Sequence, residues 1–210
     1  METITKKYRL LENDTRTVDG KTLYRIEALK DFGSIEKGNK GGYIEKEGNL
    51  SQEGNCWVYE EACVYEGGCV YEEARVYGES WVYGKACVSG AACVAGKARV
   101  YGESWVYGKA CVSGAACVDG KVWVYGDTEV YGDAEIRSTR DFVVLKNIWS
   151  SGRYFTYTRS NKMWKVGCFY GTGEELIAKA YRDSEVSGRE YERVVKYVEA
   201  MYADLEKDKE

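Results

Sequence analysis

Residues 76–99 read VYGESWVYGKACVSGAACVAGKAR, and the pattern inside this stretch decides the fold. A valine or isoleucine anchor stands at every sixth position from Val58 to Ile136. A small or β-branched residue follows each anchor but the last after four positions, and glycine follows most anchors after two. Neither a helix nor a flat strand keeps one face apolar on a six-residue spacing, because their periods are about 3.6 and 2 residues.

The hexads do fit a coil of short strands joined by tight turns. Three hexads close one triangular coil, with the anchors inside and glycine in turn conformations that other residues avoid. A single coil buries too little apolar surface to offset its loss of backbone entropy, so the coils must stack. The sequence therefore predicts a mainly β protein built on a parallel β-helix of about five coils.

The hexads resemble those of the hexapeptide-repeat, left-handed β-helix superfamily. The resemblance implies a left-handed coil and favours a homotrimer, because members of that superfamily are commonly trimers. One detail differs, since the superfamily usually places Gly, Asp or Asn directly after the anchor. In this chain tyrosine or serine mostly stands there and glycine comes next. The difference concerns the turn and leaves the coil unchanged.

Composition narrows the class of protein. The 210 residues include no proline, and each proline would have removed a backbone donor from a parallel ladder. The net charge of −4 and the lack of a basic stripe argue against nucleic acid as a partner. No apolar run of about 18 residues is present, so we expect no membrane span, no signal peptide and a cytoplasmic location.

Histidine is absent from the chain. Acyltransferases of the hexapeptide superfamily typically use histidine as general base, and the β-helical carbonic anhydrases bind zinc through three histidines. Neither chemistry can be inherited here, and no other catalytic, metal-binding or cofactor-binding constellation is recognisable. We therefore expect that the protein is not an enzyme and binds no cofactor.

Three segments are predicted: a cap at residues 1–43, the solenoid at 44–140 and a C-terminal module at 141–210. Ile44 and Leu50 are the expected first anchors, and Thr22–Ile26 is a candidate strand of the cap. Residues 23–59 are similar to a segment of the YdcK-like hexapeptide proteins and of many uncharacterised phage and prophage proteins, as is GCFYGTGEEL at 167–176. The resemblance implies a phage-type protein.

Positions eighteen residues apart fall on one face of the solenoid, and the residues beside each anchor point outward. One face, here named the aromatic face, carries no charge in these columns: Cys69, Cys87, Trp105 and Trp123, beside Tyr71, Ser89, Tyr107 and Tyr125. An apolar surface of this extent usually meets a partner. We predict that Trp105, Tyr107, Trp123 and Tyr125 lie in an interface between copies of the chain. A cover formed by the C-terminal segment is the alternative.

Six of the eight cysteines stand at the outward position of the hexad. Cys69 and Cys87, and likewise Cys93 and Cys111, should lie on adjacent coils at about the 4.8 Å spacing of strands. That spacing is interpreted as somewhat wide for an unstrained disulfide. Without CxxC motifs or histidine no zinc site is predicted, so all the thiols are expected to be reduced.

The composition changes after Ile136, where the hexads stop. Three antiparallel strands are predicted at Phe142–Trp149, Tyr154–Thr158 and Met163–Tyr170, with turns at 151–152 and 160–162. Two helices should follow. Capping boxes predict their starts at Thr172 with Glu175 and at Ser187 with Glu190.

The C-terminal module contains the candidate ligand site. Gly171, Thr172 and Gly173 lead into a helix start, whose amides suit an anion. The neighbouring cations and aromatic rings could neutralise and stack on a nucleotide: Arg153, Arg159 and Lys165, with Tyr157 and Trp164. In the alternative interpretation Thr172 only caps its helix, the rings belong to the core and the charges are solvated.

Three functions remain open. The first is a non-catalytic, phage-type oligomer that sequesters a small anionic molecule derived from a nucleotide, such as a bacterial immune signal. The second is a structural or assembly scaffold, for which the aromatic columns are contact surfaces. The third is a degenerate hexapeptide acyltransferase.

Overall fold

The computed structural model describes residues 6–148 and 152–207. The chain divides into two compact units, Met1–Thr139 and Arg140–Glu210. The first holds the N-terminal strands and the solenoid, and the second holds a four-stranded sheet and two helices. Two residues of the predicted elements, Trp149 and Ser151, lie outside the described residues.

Three strands precede the hexads: β1 (Tyr8–Val18), β2 (Lys21–Ala28) and β3 (Lys40–Ile44). These strands pair antiparallel in sequence order. β3 then enters the solenoid, because Tyr43 and Ile44 pair in parallel with Cys63 and Val64 of the next coil. The N-terminal segment therefore extends one sheet of the solenoid. The predicted strand within it forms part of β2, and the first two predicted anchors are buried.

The parallel β-solenoid predicted from the hexads is confirmed. A single turn of 3-10 helix (Glu47–Asn49) precedes it, and each hexad from residue 57 onward then adds one strand of two residues. The strands are β4 (Trp57–Val58), β5 (Cys63–Val64), β6 (Cys69–Val70), β7 (Arg75–Val76), β8 (Trp81–Val82), β9 (Cys87–Val88), β10 (Cys93–Val94), β11 (Arg99–Val100), β12 (Trp105–Val106), β13 (Cys111–Val112), β14 (Cys117–Val118), β15 (Trp123–Val124), β16 (Glu129–Val130) and β17 (Glu135–Ile136).

From β4 to β17, strands eighteen residues apart pair in parallel and form the three sheets of the solenoid, one of which begins with β3. Their orders are β3-β5-β8-β11-β14-β17, β4-β7-β10-β13-β16 and β6-β9-β12-β15. Every anchor from Val58 to Ile136 is at most 1% exposed, so the interior is filled by one apolar side chain from each hexad. The alanines four places after the anchors are buried as well, at the corners of the coil.

Glycine is required at the turns because the backbone there is left-handed and tightly stacked. Gly78 has a φ of 74°, and a Cβ atom on it would lie 2.8 Å from the carbonyl oxygen of Gly96 on the next coil. A side chain at this position would therefore meet both an unfavourable backbone conformation and the next coil.

The C-terminal unit begins with an antiparallel sheet whose strands follow one another in sequence order: β18 (Phe142–Lys146), β19 (Tyr154–Thr158), β20 (Met163–Val166) and β21 (Phe169–Gly171). The predicted meander is confirmed with two corrections. The strand predicted to reach Trp149 ends at Lys146. The single strand predicted over Met163–Tyr170 is two strands, because Gly167 takes a φ of 55° and turns the chain back.

Helices α1 (Gly173–Asp183) and α2 (Glu185–Lys207) complete this unit. The capping box at Thr172 and Glu175 is confirmed. The one predicted at Ser187 is wrong, because Ser187 lies inside α2 and donates its backbone N–H to the Ser184 hydroxyl at 3.0 Å. The helices share an apolar core with one face of the sheet: Phe155, Tyr157, Trp164, Val166, Leu176, Val195, Val198 and Tyr202.

Candidate functional site

The two aromatic rings of the predicted ligand site belong to the core of the C-terminal unit. Trp164 is fully buried and Tyr157 is 5% exposed. Trp164 packs edge-on against Phe155 at 6.4 Å between ring centroids, and Tyr157 packs against Tyr202 at 5.3 Å. The expectation that these rings stack on a ligand is therefore wrong, since both are already covered by the sheet and the helices.

The three cations of the predicted site lie in different surroundings. Arg159 pairs with Glu206 at 3.2 Å and lies over the ring of Tyr202. Lys165 alternates with the inward-facing Trp164 along β20, so it projects from the opposite face of the sheet, and its Nζ donates to the Gly167 carbonyl. Arg153 and Lys165 both approach Gly167, since a Cβ atom on Gly167 would lie 3.3 Å from the Arg153 side chain. Arg159 is held by Glu206 and the two rings are buried, so the five predicted side chains do not form one site.

Arg153 lines a cleft together with Val166, Phe169, Leu176, Lys179, Ala180, Asp183 and Tyr191. The cleft has a volume of about 30 Å³, whereas small-molecule sites typically have about 300–1,000 Å³. A nucleotide does not fit in it.

The helix start at residues 171–173 is occupied by carboxylates of the protein itself. Glu175 accepts the backbone N–H of Thr172 at 2.9 Å, and the Thr172 hydroxyl accepts the N–H of Glu175 at 3.3 Å. A Cβ atom placed on Gly173 would lie 2.6 Å from a carboxylate oxygen of Glu199, and one on Gly171 would lie 2.5 Å from Glu175. An anion at this helix start would meet two negative charges, so the capping interpretation is the correct one for Thr172.

The aromatic face has the composition and register that the sequence predicts. Trp105 pairs with Cys87 on one side and with Trp123 on the other. Trp105, Trp123 and Tyr125 are 41%, 59% and 55% exposed, although each is a large apolar side chain. Tyr107 and Tyr125 stack at 5.5 Å between ring centroids. These columns place adjacent rings on a rigid surface that is open at its outermost strand, β15.

The second face of the solenoid is partly closed by the N-terminal strands. Tyr65 begins a ladder in which it stacks on Tyr83 at 5.0 Å, and Tyr83 stacks on Tyr101 at 4.9 Å. The Tyr65 ring is 1% exposed, and its hydroxyl lies 3.1 Å from the Asp19 carboxylate. Val18 belongs to the same buried cluster. The start of this ladder is thus a packing surface within the first unit, whereas the aromatic face is open.

The cysteine columns contain a disulfide that the sequence interpretation excluded. Cys69 and Cys87 are bonded, with their Cα atoms 4.8 Å apart. This separation falls inside the range that disulfides span, about 4.4–6.8 Å, so judging the strand spacing too wide was wrong. The remaining cysteines are thiols, of which Cys56 and Cys63 are buried.

A second cysteine pair has the same register without the bond. Cys93 and Cys111 face each other on adjacent coils, with their Sγ atoms 3.5 Å apart and Cys111 as the donor. The hydroxyl of Tyr77 lies 3.1 Å from the Cys93 sulfur. The hydrogen bonds with Cys111 and Tyr77 and the positive charge of Arg75 outweigh burial and lower the pKa of Cys93 to about 7.

Within residues 6–148 and 152–207, no group of three or more Cys, Asp or Glu side chains could hold a metal ion. None of the helices in this part of the chain combines the length and the apolar character that crossing a membrane requires. Comparison with known proteins finds no matching family model and no matching curated protein. The architecture is a parallel β-solenoid of about five coils, consistent with a hexapeptide-repeat β-helix.

Proposed function

We propose that the protein is a non-catalytic, oligomeric binding protein of phage type, whose copies associate through the aromatic face. The exposure of Trp105, Trp123 and Tyr125 on a rigid solenoid is the observation that carries this proposal. Large rings in a flat, uncharged patch are what the centre of a protein interface contains. The resemblance to hexapeptide proteins favours a trimer, acting in the cytoplasm of the bacterial host.

The free energy gained by burying these rings favours association of the copies over a monomer that leaves the rings in water. Each Trp or Tyr buries about 150–250 Å² at most, and apolar burial contributes about 25 cal/mol for each Å². The exposed rings thus supply several kcal/mol at the centre of an interface. A stable interface buries about 800 Å² on each partner, so the surrounding turn residues must form its rim.

Light scattering on the wild type and on a Trp105→Glu/Trp123→Lys variant tests this association. The two substitutions place opposite charges on paired strands, so they attract each other within the monomer while resisting burial between copies. We expect an oligomer for the wild type and a monomer for the double variant. Tyr197→Glu is the matched control, because Tyr197 is 64% exposed on α2, outside the aromatic face. A monomeric wild type would overturn the proposal.

The molecule that the oligomer captures is proposed to be small, anionic and derived from a nucleotide, as a bacterial immune signal would be. Its planar ring would stack on Trp123 or Tyr125, which are the most exposed rings of the face and belong to, or adjoin, its outermost strand. Lys109 is exposed in a turn at one edge of the face, where it could neutralise a phosphate, whereas Lys121 at the other edge pairs with Glu103 at 3.4 Å. The clefts between copies then replace the C-terminal site predicted from the sequence.

A scaffold without a ligand is the second candidate. It is favoured by the near-duplication of residues 76–99 as 100–123, which lengthens the solenoid by four hexads. A coil contains three hexads, so the copied residues appear on a different face, and a duplicated binding site would have kept its face. Association would be the same in both candidates, and only the first predicts ligand binding.

A further inference from the structure

Two cysteine pairs of this chain have the same strand register and different bonding. In each pair both residues occupy the outward position of a hexad, are half-buried and face each other in parallel register on adjacent coils. Cys69 and Cys87 are disulfide-bonded. Cys93 and Cys111 lie on another sheet, with their sulfur atoms 3.5 Å apart and unbonded.

We propose that Cys93 and Cys111 form a dithiol site that reversibly closes a second disulfide between coils by exchange with a small-molecule disulfide, such as oxidised glutathione. The backbone geometry that accommodates the first disulfide is repeated at the second pair, because the strand ladder fixes both. Closing the bond requires only that the two sulfur atoms approach each other. The proposal is independent of the association through the aromatic face.

The surroundings assign different roles to the two sulfur atoms. Cys93 lies within hydrogen-bond distance of both the Cys111 thiol and the Tyr77 hydroxyl, and Arg75 is its strand partner on the preceding coil. All three neighbours stabilise a thiolate at Cys93. The pKa of Cys111 is raised, first by its hydrogen bond to Cys93 and then by burial. Cys93 is therefore the attacking thiolate, and Cys111 is the thiol that resolves the intermediate.

The exchange balances in two steps. The Cys93 thiolate attacks one sulfur of oxidised glutathione, the S–S bond breaks, and one glutathione leaves as a thiolate. The Cys111 thiol then loses its proton and attacks the Cys93 sulfur, which expels the second glutathione. Two protein thiols are oxidised to a disulfide, and one small disulfide is reduced to two thiols that carry the two protons.

Single substitutions separate the steps. Every protein, including the reference called wild type, would carry Cys168→Ser to remove an exposed thiol, with Cys69–Cys87 intact. Each would be incubated with oxidised glutathione, quenched with acid, alkylated and analysed by intact mass spectrometry. We expect the wild type to lose two alkylatable thiols without retaining glutathione. Cys111→Ser should retain one glutathione, on Cys93, because nothing resolves the mixed disulfide. Cys93→Ser should retain none on Cys111.

Cys117→Ser is the matched control. Cys117 occupies the same outward position and lies 3.4 Å from the hydroxyl of Tyr101, but its strand partners are Arg99 and Glu135 and not a cysteine. This variant should lose two thiols as the wild type does. If the wild type keeps both thiols, or if Cys93→Ser and Cys111→Ser retain glutathione equally, the pair is two independent thiols and the proposal is overturned.

The pH dependence gives a second readout. Because the pKa of Cys93 is about 7, the rate of thiol loss should rise through that pH, below the value of about 8.5 for an ordinary cysteine. Tyr77→Phe removes one hydrogen bond to the thiolate and should move the midpoint upward. A wild-type midpoint at the ordinary value, unchanged by Tyr77→Phe, would contradict the assignment of Cys93 as the attacking group.

Discussion

Glutamate stands at three early turns of the solenoid where later coils have glycine. Glu60, Glu66 and Glu72 have φ values of 52°, 58° and 60°, in the left-handed region that disfavours residues with a Cβ. Each of the three carboxylates accepts the backbone N–H of the residue eighteen positions later, which is Gly78, Gly84 and Gly90 in turn, at 2.7, 2.9 and 2.6 Å. The bond between coils offsets the cost of the backbone conformation.

Glu72 allows the two effects to be measured separately. Glu72→Ala keeps the strained backbone and loses the bond to Gly90, so the free energy of unfolding should fall by about 1 kcal/mol. Glu72→Gly loses the same bond but relieves about 1 kcal/mol of backbone strain, so its change should be smaller. Urea unfolding of both variants provides the measurement. Equal losses for alanine and glycine would show that the backbone conformation costs nothing.

The sequence pattern could place glycine in the turns but could not assign this role to glutamate. In the sequence a carboxylate two places after an anchor cannot be told from an ordinary solvated charge, because its partner lies on the next coil. For the same reason, the sequence alone does not show which side chains of the C-terminal sheet face the helices and which face the other way. Trp164 and Lys165 are neighbours in sequence, and only the packing of the helices shows that the first is buried and the second projects from the other face.

Among the elements, the two C-terminal helices are packed through a glycine. Gly188 of α2 is buried, and a Cβ atom on it would lie 2.2 Å from the ring of Tyr181 on α1. The Tyr181 hydroxyl lies 2.7 Å from Glu192, which fixes the ring in this position. Glycine inside a helix normally costs about 1 kcal/mol relative to alanine, so the close approach of the helices explains its presence.

The effect of Gly188→Ala on the free energy of unfolding should therefore depend on residue 181 and reverse when Tyr181 is replaced by alanine. In the wild type the gain in helix propensity, about 1 kcal/mol, is smaller than the 1–3 kcal/mol that overpacking typically costs, so the variant should be less stable. In a Tyr181→Ala background the space is open, and the same substitution should stabilise by about 1 kcal/mol. Chemical unfolding of the four proteins gives the comparison. Stabilisation in both backgrounds would disprove the contact.

The strands were predicted correctly from the sequence where the six-residue repeat is uninterrupted. The hexads predicted every strand from β4 to β17, since each anchor repeats the same environment. β1 (Tyr8–Val18) was missed, because its pairing with β2 shifts between Leu11 and Thr15. The irregularity interrupts the alternation of side chains by which a strand is recognised in sequence.

For the whole molecule, two proposed functions differ in one respect: the first is an oligomer that captures a ligand, and the second is an oligomeric scaffold that binds none. The sequence predicted an apolar face correctly, because the eighteen-residue register follows from the hexads. The sequence does not show where a ligand binds, because cations and rings that are close in the sequence need not converge in the fold. Tyr157 and Trp164 are buried in the core of the C-terminal unit, and Arg159 forms an ion pair with Glu206. The rings of Trp105, Trp123 and Tyr125 on the aromatic face are exposed.

If a nucleotide binds in the clefts between copies, the variants should differ in their affinity for it in a defined way. Nucleotides added to the wild type should raise its melting temperature, while inorganic phosphate alone should raise it less because it has no ring to stack. Stacking on an aromatic side chain contributes about 1–3 kcal/mol, so Tyr125→Ala should weaken binding by about 5- to 150-fold. Arg153→Ala and Arg159→Ala, outside the aromatic face, should bind as the wild type does.

Titration calorimetry of these four proteins distinguishes the possibilities. Loss of binding in the arginine variants, with Tyr125→Ala unaffected, would return the site to the C-terminal unit and contradict its placement at the aromatic face. If no nucleotide binds to any of the four while light scattering shows an oligomer, ligand capture is wrong and the protein is an assembly scaffold. Association is read by light scattering of the Trp105→Glu/Trp123→Lys variant and ligand binding by calorimetry of Tyr125→Ala, so each part of the proposal has its own variant and its own measurement.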